Sequence, residues 1–127
     1  VKIIIDASAA FIMLATPARI ADAFADATDV LAPELIVAEL LNARWKVARA
    51  GAAAPALDAV LGLFDRIHLV AAVPYAVDAA TLAQRLDHPV YDCFYAALAK
   101  RENGRLATAD RRFAAKLAQE SFAVIAL

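Results

Sequence analysis

Cysteine, histidine and glycine are scarce in this sequence. One cysteine, Cys93, cannot form an internal disulfide, and with only His68 and His88 beside it the ligand sets of the usual zinc sites are missing. Long apolar runs are also absent. The longest stretch without a charged residue, Ala7 to Ala18, is interrupted by Ser8, Thr16 and Pro17 and falls short of the roughly 20 apolar residues of a membrane span. No membrane partner is expected. No basic segment leading into an apolar run and a cleavage site opens the sequence, since Asp6 interrupts the first apolar run. A cytoplasmic location is expected, and Val1 in first place suggests that an initiator Met is missing. A dominant charge is lacking too: 13 Lys and Arg against 14 Asp and Glu leave a net charge of -1. That excludes holding nucleic acid by bulk charge alone and leaves room for a local basic face.

What the chain does have is apolar residues, 63% of its 127, well above an average soluble domain. Disorder is excluded. The length suits one domain over residues 1–127 with a real core, and no linker-like stretch divides it. The apolar excess over what one small core can hide points to self-association.

Lys2 to Ile5 is an unalternating β-branched run, the pattern of a strand buried on both faces. Helices are expected at Ala7–Leu14 and Ile20–Ala27. A brief strand at Val30 and Leu31 stops at Pro33, and Pro33 with Glu34 opens a long helix that ends at Gly51. Pro55 opens a helix through Leu57, Val60, Leu61 and Phe64, followed by a strand at His68–Val70 and a helix at Ala76–Leu86. Pro89 introduces a helix over Tyr91–Arg101. A strand at Arg105–Thr108, a helix at Arg111–Gln119 and a strand at Phe122–Ile125 complete the chain. The alternation predicts an α/β fold with a central, mostly parallel sheet of four to five strands flanked by helices.

Asp6 follows the first strand and Asp110 the fourth, at the carboxyl ends where open α/β sheets place ligands; each would serve equally as a helix N-cap. Glu39 lies inside an apolar helix segment, and its neighbours Leu35, Ile36, Asn42 and Ala43 offer no basic partner. A carboxylate there needs a proton, a metal or a polar partner. Asp92 opens the helix after Pro89, where the helix dipole alone could account for it. Carboxylates without a His or Cys cluster favour a hard cation, Mg²⁺ or Mn²⁺, and such a site suits phosphodiester hydrolysis. Asp6 and Asp92 would be the main ligands, Asp110 would complete the site, and Glu39 would position or deprotonate the water.

Secondary candidates surround these acids. Ser8 and Thr108 could bond a carboxylate or a phosphate, or simply cap turns. Asn42 could hold Glu39 or stand exposed. Lys100, Arg101, Arg105, Arg111 and Arg112 cluster late, and Arg44, Lys46 and Arg49 follow Glu39; they read as RNA-backbone contacts or as solvated faces. Trp45, Tyr91 and Tyr95 could stack on bases, with packing the favoured use. Cys93 reads as a small buried filler.

Four segments carry a family resemblance: Ile5-Asp6-Ala7-Ser8, Ala38-Glu39-Leu40 with Asn42, Tyr91-Asp92-Cys93-Phe94-Tyr95-Ala96-Ala97-Leu98-Ala99, and Thr108-Ala109-Asp110-Arg111-Arg112-Phe113. In this order and length the chain resembles PIN-domain ribonucleases, in particular VapC-type toxins of toxin-antitoxin pairs. The resemblance implies a metal-dependent endoribonuclease that cuts structured RNA such as tRNA or rRNA and so stops translation. It also implies a homodimer and a VapB-type antitoxin that blocks the site, and it equates Asp6, Glu39, Asp92 and Asp110 with the family's acidic residues. Some members carry a further acid just after the last Asp, where this chain has Arg111 and Arg112. Two readings compete: a phosphoacceptor receiver module, which would want an acidic pair after the first strand where only Asp6 stands, and a catalytically silent PIN-like binding scaffold.

Overall fold

Ile3, Ile4 and Ile5 are each 0% exposed, a run that only a strand covered on both faces can achieve. In the computed structural model, which describes all residues from Val1 to Leu127, they form β1 (Lys2–Ile5), the middle of five strands. The others are β2 (Asp29–Pro33), β3 (His68–Val70), β4 (Arg105–Thr108) and β5 (Val124–Ala126). Their order is β3-β2-β1-β4-β5, and every pairing is parallel. The helices are α1 (Ala7–Ala15), α2 (Leu35–Arg49), α3 (Leu57–Phe64), α4 (Ala76–Leu86), α5 (Val90–Arg101) and α6 (Arg111–Gln119).

From β1 the chain builds outward through β2 to β3, then crosses back to place β4 on the other side of β1. The connections therefore part between β1 and β4, and a crevice opens beyond the carboxyl ends of those two strands. This order differs from the 2-1-3-4-5 order of receiver modules, which removes the phosphoacceptor reading.

Helix α5 packs on β1, β2 and β4 as well as on α4. Cys93 and Tyr95 through Ala99 are buried, and the alanines among them let the helix approach the sheet closely. The turn from α5 into β4 is equally tight. Asn103 adopts a left-handed φ of 52°, and a Cβ on Gly104 would lie 2.6 Å from Ile4 Cδ1 and 2.9 Å from the Lys2 carbonyl oxygen. Only glycine fits against β1 there.

Three expectations need correction. Ile20–Ala27 is a series of turns, not a helix. Only Phe24 N–H reaches four residues back, to Ile20, while Ala25 and Ala27 bond three residues back. So short a segment has little helical stability of its own, and the Asp26 carbonyl is taken by the Val1 amino group. Strand β2 does not stop before Pro33 but includes it as its last residue, past Leu31, the last residue with a β1 partner. Strand β5 starts at Val124 because Ser121 turns left-handed and Phe122 N–H closes α6 on Leu117 O at 3.1 Å.

Candidate active site

Asp6 leaves β1 directly into the β1/β4 crevice and is 5% exposed. Its Oδ1 accepts from Ala9 N–H at 2.8 Å, capping α1, and from the Ser8 hydroxyl at 2.6 Å. Ser8 Oγ in turn accepts from Ala109 N–H at 2.9 Å. One hydroxyl thus fastens the exit of β1 to the exit of β4. Asp110 follows on the β4 side, caps α6 by accepting from Phe113 N–H at 3.0 Å through Oδ1, and is exposed. Both aspartates fill the capping role, and each cap engages only one oxygen.

Asp92 stands in the first turn of α5, where the dipole favours a carboxylate. His88 Nε2 lies 2.6 Å from its Oδ2. Glu39 reaches in from the second turn of α2 and accepts a 2.6 Å hydrogen bond from the buried hydroxyl of Tyr95 on α5. That hydroxyl, rather than a basic residue, is the partner its apolar helix face requires.

Burial pushes the Asp6 carboxyl above the usual carboxylate range, and the charge of Asp92 adds to this; the Ser8 and Thr108 hydroxyls and the Ala9 amide pull the other way. Glu39 is raised by burial too, then by Asp92 and Asp6, with the Tyr95 bond opposing. Tyr95 itself is raised strongly by burial and by Glu39. The Cys93 thiol, wholly enclosed, is pushed up to about 11 by burial and then by Asp92, as suits an inert filler. Asp92 is thus the charge that both other inward-facing acids feel.

All four acids nominated from the sequence sit at this one end of the sheet. The tightest ligand set differs from the expected Asp6, Asp92 and Asp110: ligand atoms of His88, Asp92 and Asp110 lie within 4.8 Å of one another, and Asp6 adjoins them without belonging to that set. His88, too isolated in the sequence to count as a zinc ligand, has one signal there for this role: its spacing, four residues before Asp92 and just ahead of Pro89. The donors fit a hard divalent cation, which would offset the burial and then the mutual repulsion that raise Asp6 and Glu39.

The secondary candidates divide. Ser8 bonds a carboxylate, Thr108 Oγ1 accepts from Asp110 N–H at 3.0 Å, and Asn42 is exposed. The late basic cluster splits: Arg111 and Arg112 border Asp110, whereas Arg101 and Arg105 stand near Asp78 and Asp26 at the far ends of α5 and β4. Arg44 donates to Pro55 O at 2.8 Å, and Arg49 lies over the Trp45 ring. Tyr95 is core, while Trp45 and Tyr91 are 52% and 65% exposed.

Against known proteins, the family model described as PIN domain matches residues 3–117. Three similar solved structures share the fold. PAE2754 from Pyrobaculum aerophilum superposes with a TM-score of 0.70 at 24% identity, covering 91% of this chain and 86% of that one. VapBC-1 from nontypeable Haemophilus influenzae gives 0.65 at 14% identity, over 99% and 98%. VapBC2 from Rickettsia felis, solved with a DNA fragment from its promoter, gives 0.63 at 13% identity, over 99% and 98%. No curated protein matches the sequence.

Proposed function

The chain belongs to the PIN-domain family, and on that premise we propose that it is a Mg²⁺- or Mn²⁺-dependent endoribonuclease toxin that hydrolyses phosphodiester bonds of tRNA or rRNA and so inhibits translation. PIN domains are in general nucleases. One observation carries the reading: Asp6, Asp92 and Asp110 gather at the β1/β4 crevice with Glu39 beside them, and no Lys or Arg forms an ion pair with any of the four.

Asp6, Asp92 and Asp110 would hold the cation, which when bound supplies charge neutralisation at the phosphate and acidifies a water. Glu39, its proton affinity raised by burial and its carboxylate held by Tyr95, would take the proton of the attacking water. Arg111 and Arg112, exposed beside Asp110, would engage the RNA backbone. The proposed unit is the single domain of residues 1–127, acting in the cytoplasm; no helix is long and apolar enough to cross a membrane. The VapBC likenesses support a VapB-type antitoxin as partner. Val73 and Val77, 83% and 77% exposed, support a homodimer.

The test is a cleavage time course on total RNA with Mg²⁺ or Mn²⁺, against EDTA and against Asp92→Asn purified in parallel. Metal-dependent fragments are expected from the wild type, with the variant slower by about 100-fold or more. Equal cutting by both proteins would refute the assignment, and no cutting by either would favour the silent scaffold.

A further inference from the structure

His88 belongs to none of the four segments that carry the family likeness, yet its side chain is 7% exposed and bonded to a site acid, with Nε2 2.6 Å from Asp92 Oδ2. Three features of one face of α6 and its cap hold it there. The Phe113 ring stacks on the imidazole, with centroids 4.4 Å apart and planes 18° from parallel, while the same residue's amide bonds Asp110. Lys116, one turn further along, lies with Nζ 3.4 Å from His88 Nδ1 and donates to Asp87 O at 2.7 Å. Asp87 is left-handed at φ 49°, His88 N–H bonds Ala83 O at 3.1 Å, and Pro89 stiffens the exit, so the backbone is fixed as well.

We propose that His88 is a positioning residue for Asp92, locked by Lys116 in the tautomer that carries its proton on Nε2 and donates it to Asp92 Oδ2. The Asp92 carboxylate oxygen 2.6 Å away can only accept, which puts a proton on Nε2, and an ammonium has no lone pair, so towards Lys116 the Nδ1 of a neutral ring can only accept. The bond engages Oδ2 and leaves Oδ1 without a protein donor, which fixes the rotation of the carboxylate that Asp6 and Glu39 both feel. This is the role that outer partners play for ligating groups. The metal-binding side of the inference rests on the proposed nuclease function; the tautomer does not.

Two measurements test it. In long-range ¹H–¹⁵N spectra of the metal-free protein, the His88 ring should show a protonated Nε2 and an unprotonated Nδ1, and Lys116→Met should mix the tautomers. A ring protonated on Nδ1, or a mixture already in the wild type, overturns the proposal. In calorimetric Mn²⁺ titrations, His88→Leu should bind about 10- to 100-fold more weakly. His88→Gln, whose amide can donate from the Nε2 position, should stay within about threefold of the wild type. Wild-type affinity in His88→Leu would overturn the brace, and an equal loss in His88→Gln would make the ring a ligand instead. Should His88→Leu not fold, the ring spectra of the wild type and of Lys116→Met decide the proposal. A wild type that neither binds Mn²⁺ nor cuts RNA would end the nuclease reading while the ring spectrum still decides the tautomer.

Discussion

The two ends of the sheet use the same charged residue types in opposite ways. At the amino ends of the strands carboxylates meet basic side chains: Lys2 with Glu102 and Arg105 with Asp26 at 3.3 Å, while His68 lies 2.9 Å from Asp29. At the carboxyl ends, Asp6, Glu39 and Asp110 have only neutral donors, namely the Ser8, Thr108 and Tyr95 hydroxyls and the Ala9 and Phe113 amides. Strand β1 is four residues long, so the ends lie only ~13 Å apart. Arg111 and Arg112 border Asp110 at the carboxyl end, yet neither forms an ion pair there. Exposed pairs at the far end cost and contribute little, whereas like charges gathered in a crevice carry a standing penalty that stability alone would remove.

The largest effect expected from this contrast is on the reaction. Glu39→Gln should slow single-turnover RNA cleavage by about 10²- to 10⁴-fold, while Glu102→Gln, the matching change at the other end, should leave it unaltered. Equal rates for Glu39→Gln and wild type would strip the contrast of its functional meaning. The next effect is on stability. Mn²⁺ at a hundred times its Kd should stabilise the protein by about 2.7 kcal/mol in thermal melts. Asp6→Asn and Asp92→Asn should lose most of that gain, and Asp26→Asn should keep it.

Much of this end of the molecule was legible in the sequence for local reasons. Asp6 follows its β-branched strand directly and Asp110 stands two residues after its own, so strand assignment alone places them at one edge. Glu39 drew notice because its helix neighbours are apolar. The missing parts are contacts that only the strand order creates: Tyr95 to Glu39 spans 56 residues and Ser8 to Ala109 spans 101. The late basic cluster divides for the same reason, since α5 and β4 run in opposite senses and carry Lys100 to Arg105 to the far end. Ile20–Ala27 read as a helix from its residues, but its ends are committed to Val1 and the Pro17 turn.

A smaller effect tests the standing penalty itself. The folded state raises the Asp6 carboxyl, so between its ordinary and its raised value the native chain binds the proton more tightly than the unfolded chain. The stability that Asp6 contributes is therefore present at low pH and is lost as pH rises through the range above ~4. Asp6→Asn keeps an oxygen for Ser8 and Ala9 and discards the charge. In EDTA it should gain about 1 kcal/mol on the wild type between pH 4.5 and pH 7 in urea titrations, and Mn²⁺ should reverse the order at pH 7. A variant that lost ground as pH rose would mean that the crevice welcomes the charge unaided.

The smallest effect belongs to the paired end. The Arg105 and Asp26 side chains are 43% and 53% exposed, so solvent already screens their charges before they meet. Asp26→Asn should cost less than about 0.5 kcal/mol in urea titrations and nothing measurable in 1 M salt, because exposed pairs are screened within a few ångströms there. The Asp26 carbonyl still receives the Val1 amino group in the variant, so the turn before β2 keeps its anchor. A cost above about 1.5 kcal/mol would show that the far-end pairs hold the sheet together, and the carboxyl-end acids would then be the exception to an electrostatic design and not a departure from an indifferent surface. A cost near zero would leave the acids at the carboxyl ends as charges held against stability beside an indifferent surface.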